Sequence, residues 1–151
     1  MAQTESNQVQ ELKEWQPYNL DHYAQKLVSD FRDKKNVLNE SHKMRMAVAY
    51  GLERFWGEHL RFERDSKQES KEKGEYWKKV WDTLANDILK PTGIQLPNEK
   101  VRFDETDKIQ KMTERIWEMT LEDRTIVLMV LTKFCDSLVW WTQRYKKKDE
   151  N

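Results

Sequence analysis

The sequence predicts an all-α fold, a single-domain bundle of about five helices. Three observations carry this. Glycine and proline are scarce, four and three in 151 residues, whereas the helix formers Leu, Lys, Glu, Arg and Met are plentiful. Apolar residues recur at three- and four-residue intervals, and no segment shows the two-residue alternation of a strand. Seven tryptophans accompany a net charge of zero, from 27 basic and 27 acidic side chains. A disordered chain needs few aromatics and a large net charge. The length fits one domain.

Residues 1–16 are polar and uncapped and are expected to form a flexible N-terminal segment, with room for a short helical turn around Leu12 and Trp15 before Pro17 interrupts. The bundle domain is expected over 17–148, with a tail at 149–151. Asn19 is a good cap for the first helix. After it Leu20, Tyr23, Ala24, Leu27 and Phe31 form one stripe of a helix ending near Leu38. Ser41 is expected to cap the second helix, whose apolar line runs Met44, Val48, Leu52, Phe55, His59 and Phe62. The charged stretch 63–73, "ERDSKQESKEK", is either solvated helix or the turn.

The third helix, about residues 70–90, has the clearest stripe: Trp77, Val80, Trp81, Leu84 and Ile88. Pro91 and Gly93 end it. The connector "KPTGIQLPNEKVRF" follows, with two prolines and no helical period. Connections this long in small domains are usually functional or mobile. Asp104 or Thr106 starts the fourth helix, with Ile109, Met112, Ile116 and Trp117 inward. "TLED" matches a capping box, Thr120 with Asp123. The fifth helix, 121–147, is apolar on most of its circumference and belongs in the middle of a bundle. Trp77, Trp81, Trp117 and Leu128 are expected to be buried. Trp140 and Trp141 are adjacent and cannot both face one core, which leaves one near the surface or an interface.

No catalytic apparatus is visible. His22, His42 and His59 occupy no metal-binding spacing, and the glycines at 51, 57, 74 and 93 form no phosphate loop. His59 follows an apolar stripe and reads as a packed histidine. Cys135 lies in an apolar run and reads as a buried thiol. The carboxylates alternate with lysines as on a solvated helix surface, Glu75 with Lys79 for example. No enzyme activity, metal or cofactor is therefore expected. The opening residues carry no apolar signal segment. The longest unbroken apolar run is Ile126 to Leu131, short of the ~20 residues that span a bilayer. A cytoplasmic protein without membrane contact is expected.

The charge is segregated. Residues 41–80 carry net +3 and residues 104–124 net −3. On a helix, Tyr50, Arg54, Gly57, Arg61, Arg64, Gln68 and Lys71 share one face beside the apolar line. That face reads in two ways. It is a solvated face with a helix-packing glycine, or it is a ridge for sequence-independent contact with single-stranded nucleic acid. Arg144, Lys146, Lys147 and Lys148 at the C-terminus suit either a helix macrodipole or phosphate contact. The candidate nucleic-acid-binding residues are Arg54, Arg61, Arg64, Lys71, Arg144, Lys146 and Lys147.

"YNLDHYAQKLVSDFR" resembles the opening helix, and "LTKFCDSLVWWTQRYKKK" the closing helix, of the small subunit of CRISPR effector complexes. Such subunits occur in type III complexes and, as a separately made C-terminal piece of the large subunit, in type I-D ones. The resemblance implies a non-enzymatic part of an antiviral ribonucleoprotein. Its partners would be other effector subunits, copies of itself stacked head to tail, the guide RNA, and the target or displaced strand. A negative fourth helix on one copy would meet a positive ridge on the next. The competing expectation is a helical protein–protein interaction module without nucleic-acid binding, its adhesive patch at Trp140 and Trp141.

Overall fold

In a computed structural model of the chain, residues 19–148 are described. The expected N-terminal segment 1–16, Pro17 and the tail 149–151 lie outside them. Among the described residues the fold is an all-α bundle without a strand. Its six helices are α1 (residues 19–31), α2 (Glu40–Ala47), α3 (Leu52–Arg64), α4 (Gln68–Thr83), α5 (Thr106–Trp117) and α6 (Leu121–Tyr145). A π-helical turn over Leu84–Leu89 and a 3-10 turn over Lys90–Thr92 prolong α4.

The sixth helix arises at Gly51. The expected second helix is divided there, because Gly51 stands at φ 104°, ψ 163°, outside any helical conformation. A residue with a Cβ would be strained at that φ. Gly51 still offers its carbonyl to the amide of Phe55 at 3.1 Å and so starts α3. The first helix is also shorter than expected. It ends at Phe31, and Val37 and Leu38 reach the core from a separate 3-10 turn, which prolongs the apolar stripe beyond the helix. Ser41 is not a cap. It lies buried inside α2, where its hydroxyl is 2.7 Å from both Tyr76 Oη and Thr142 Oγ1. A buried hydroxyl needs such partners.

α3 and α4 form an antiparallel hairpin and the most extensive helix pair of the fold. The charged stretch 63–73 holds the turn between them: α3 stops at Arg64 and α4 starts at Gln68. The Asp65 carboxylate closes this turn, accepting from the Lys67 amide at 3.1 Å and the Ser70 hydroxyl at 2.9 Å. At the crossing, a Cβ on Gly74 would stand 3.0 Å from Phe62 Cβ and 3.2 Å from the His59 carbonyl oxygen. Glycine is therefore what lets the two backbones approach. Phe55 packs on Trp77 and Trp81 with ring centroids 5.0 and 6.3 Å apart, and Phe31 on Tyr76 at 5.0 Å. Trp77, Val80, Trp81, Leu84 and Ile88 are buried as expected. Glu75 and Lys79 are both exposed, as on a solvated helix surface, and Glu75 lies 3.5 Å from Lys34, across to the segment after α1.

α5 buries Met112 and Ile116 and half-buries Ile109, but Trp117 is 55% exposed, contrary to expectation. It is the last residue of α5, turned ~100° from Ile116 and past the packed face. α6 starts as predicted, with Thr120 Oγ1 accepting from the Asp123 amide at 3.1 Å. It is not the all-round buried helix expected. One face, including Val127, Val130, Leu131, Phe134, Cys135 and Leu138, is buried, mainly against α2, while Leu128 is half-buried and Met129 and Trp140 are exposed. α6 is long and apolar enough to cross a membrane by composition alone. Here its buried face builds the bundle core, and Lys133, Asp136 and Arg144 look outward. Burial pushes the Cys135 thiol well up, which makes it a small hydrophobe.

Candidate nucleic-acid interface

The inward face of α3 is fixed by Leu52, Phe55, Trp56, His59 and Phe62, all buried. Helical geometry then leaves Arg54, Gly57, Arg61 and Arg64 on the opposite side, and all three arginines are exposed. Arg54 and Arg61 stand ~10 Å apart along the axis, Arg61 and Arg64 ~5 Å. Nothing lies within 4 Å of where a Cβ on Gly57 would stand, so the row has an open notch between Arg54 and Arg61. Arg61 is partly engaged. Its guanidinium is 2.9 Å from Glu58 and 4.3 Å from the centroid of the Phe62 ring. This pair is exposed and contributes little to stability, but it holds the guanidinium in place.

The structure does not unite the whole predicted ridge. Tyr50 is exposed, yet it precedes the break at Gly51 and belongs to a different helical segment. Gln68 and Lys71 follow the turn and belong to α4. The arginine row therefore consists of Arg54, Arg61 and Arg64. Lys71 lines a separate cleft.

Two of the C-terminal cations, Arg144 and Lys147, are engaged within the fold. The Arg144 guanidinium lies 3.7 Å above the centroid of the Trp140 ring and donates to the Trp140 carbonyl at 3.1 Å. The cation thereby sits near the C-terminal end of α6, where the helix dipole favours it. Lys147 pairs with Asp33 at 2.7 Å and holds that carboxyl below its usual range. Lys146 is half-buried. α1 lies along this end, with Gln25 donating to Tyr145 Oη at 3.1 Å and Arg32 to the Tyr145 carbonyl at 2.8 Å. Trp140 is the exposed tryptophan of its pair; Trp141 is half-buried and 3.3 Å from Asp21.

The long connector is pinned rather than loose. Trp81 Nε1 donates to the Pro97 carbonyl at 3.1 Å, Asn98 Nδ2 donates to Asp82 at 3.0 Å, and Leu96 and Val101 are buried. It forms one wall of a cleft whose other walls are α3 and α4. Sequence reasoning did not find this cleft, though the "KVRF" that closes the connector holds two cations and an aromatic in four residues. His59 lines the cleft and is buried, as its place on the apolar stripe implies. Burial lowers its pKa, which keeps the imidazole neutral at pH 7. Among the described residues no three His, Cys, Asp or Glu side chains are grouped to hold a metal ion.

No protein-family model, curated protein or solved structure matches the chain.

Proposed function

We propose that this chain is a non-catalytic subunit that grips the backbone of single-stranded nucleic acid within a larger cytoplasmic assembly. The small subunit of a CRISPR effector complex, which its terminal stretches resemble, is the form of that assembly we favour. The arginine row of α3 supports this reading. Arg54, Arg61 and Arg64 share one outward face, with the open notch at Gly57 between the first two. Guanidinium groups are planar, permanently charged and shaped to meet phosphate oxygens in pairs. A strand lying along the row would exchange counterions for arginines without any base being read. Stacking of copies has a candidate surface in the exposed acidic residues Glu114, Glu118 and Glu122 around the α5–α6 junction.

A protein-interaction module is the second reading. It is favoured by Trp117 and Leu121, 55% and 74% exposed on either side of that junction. Purification from the native host at low salt separates the two. RNA and larger subunits that accompany the chain, with the RNA released as salt rises, support the first reading. A protein partner that stays bound at high salt, without nucleic acid, supports the second.

A further inference from the structure

The cleft between the connector, α3 and α4 has a volume of about 400 Å³, within the range of small-molecule sites. The contacts of Trp81 and Asn98 hold the connector wall in place. Phe103 is 39% exposed there, with Arg102 beside it and Lys100 nearby in the chain, so an aromatic ring and cations line one wall. Lys71 and Lys78 face them from α4, and the carboxylates Glu63 and Glu75 also line the cleft. Several of these charges are spoken for. Lys78 is bonded to Asp82 and Asn98, Arg102 is 3.5 Å from Asp104, and Glu75 is 3.5 Å from Lys34. Lys71 and Lys100 make no ion pair among the described residues, and they are the cations left for a ligand.

His59 lines the cleft and is only 6% exposed. Its Nδ1 lies 2.5 Å from the Trp56 carbonyl oxygen, which can only accept, so Nδ1 carries the proton. Among the described residues no group partners the remaining ring nitrogen, Nε2. In the neutral ring Nε2 is an acceptor, and a buried acceptor without a donor is costly.

We infer that this cleft binds a nucleotide, its base stacked on Phe103 and its phosphate held by Lys71 and Lys100. A nucleotide joins a flat π-face and a phosphate in one molecule, which is the pair these residues complement. The inference rests on the reading of the chain as a nucleic-acid-contacting subunit and deepens it: the α3 row follows the strand, and the cleft takes one unstacked nucleotide of it.

The test is calorimetric titration of the full chain with adenosine 5′-monophosphate, with inorganic phosphate as the control probe. One nucleotide should bind per chain, at least tenfold more tightly than phosphate. Phe103→Ala should weaken it about tenfold, and Lys100→Ala should weaken nucleotide and phosphate alike. Both positions are exposed, and unchanged thermal melting verifies the fold of each variant. Displacement of the nucleotide by a single-stranded oligonucleotide identifies a strand as its source, whereas binding without displacement identifies the free nucleotide. Affinity no better than that of phosphate, or indifference to Phe103→Ala, overturns the inference. The two proposals fail separately. A chain that binds the oligonucleotide with steep salt dependence but not the mononucleotide loses the cleft alone. A chain that binds the mononucleotide but no strand loses the arginine row and the strand as the nucleotide's source, and keeps the cleft as a site for the free nucleotide.

Discussion

Ser41 Oγ lies 2.7 Å from Tyr76 Oη in the buried interior of the bundle. Thr142 Oγ1 meets the same Ser41 oxygen at 2.7 Å, so one small hydroxyl joins α2, α4 and α6. Burial raises the Tyr76 pKa far above its ordinary value and keeps the phenol protonated. Tyr76→Phe leaves Ser41 and Thr142 paired and should cost about 1 kcal/mol. Ser41→Ala removes the hydroxyl that both others meet and should cost more, about 1–3 kcal/mol. Urea unfolding of both variants checks the order. The reverse order would mean that Ser41 does not link the three helices.

The tryptophans should divide sharply. Trp81 is buried against Phe55 and donates to the connector, so Trp81→Ala should cost roughly 3–5 kcal/mol. Trp117→Ala should stay within about 0.5 kcal/mol, because its side chain is largely in solvent. Equal melting shifts for the two would contradict this division.

Gly57 and Gly51 should respond oppositely to alanine. Gly57 is mid-helix with open space around it, so Gly57→Ala should stabilise by up to about 1 kcal/mol through helix propensity. Gly51→Ala should destabilise, because a Cβ at φ 104° is strained and would approach the Glu53 carboxylate at 3.0 Å. The added methyl at Gly57 fills the notch in the arginine row, so this stabilised variant should bind a single strand less well than the parent. Undiminished binding would show that no strand enters the notch.

Acid should weaken the fold in a window set by His59. Its folded pKa lies below the unfolded value of about 6.5. The unfolded chain therefore takes up a proton that the folded chain refuses. The contribution is fully present above pH ~6.5 and is lost as pH falls through the folded pKa. The carboxylates lowered by hydrogen bonds, Asp65, Glu69 and Glu105, act at lower pH, below their ordinary values of 3.8, 4.5 and 4.5. Urea midpoints measured between pH 7.5 and 5.5 should fall for the parent and fall less for His59→Gln. Parallel decline in the two proteins would mean that His59 titrates normally in the fold.

The stripe of α4 was legible in the sequence because five large apolar residues recur on one face and Pro91 and Gly93 mark where it stops. The arginine row of α3 was legible for the same reason, since fixing Phe55 and Phe62 inward fixes Arg54 and Arg61 outward. The division at Gly51 was not. A glycine is permitted in either conformation, and here the packing of α2 on α6 and α3 on α4 decides between them. Trp117 misled because periodicity does not say where the packed face ends. The cleft escaped for a different reason: His59, Lys71 and Phe103 are far apart in the chain, and only the folded connector brings them to one cavity.

The central claim is that the α3 row holds phosphates. The most direct measurement is the affinity of a single-stranded oligonucleotide across a series of salt concentrations, for the parent and for the double variant Arg54→Ala/Arg61→Ala, each in its assembled complex. Every phosphate of a single strand that a variant no longer neutralises should reduce the slope of log affinity against log salt by about 0.7. The double variant should keep its fold, bind every sequence more weakly by a similar factor, and show a slope shallower by about 1.4. Superimposable affinities and slopes for parent and variant at every salt concentration would contradict the claim and leave the row a solvated helix face.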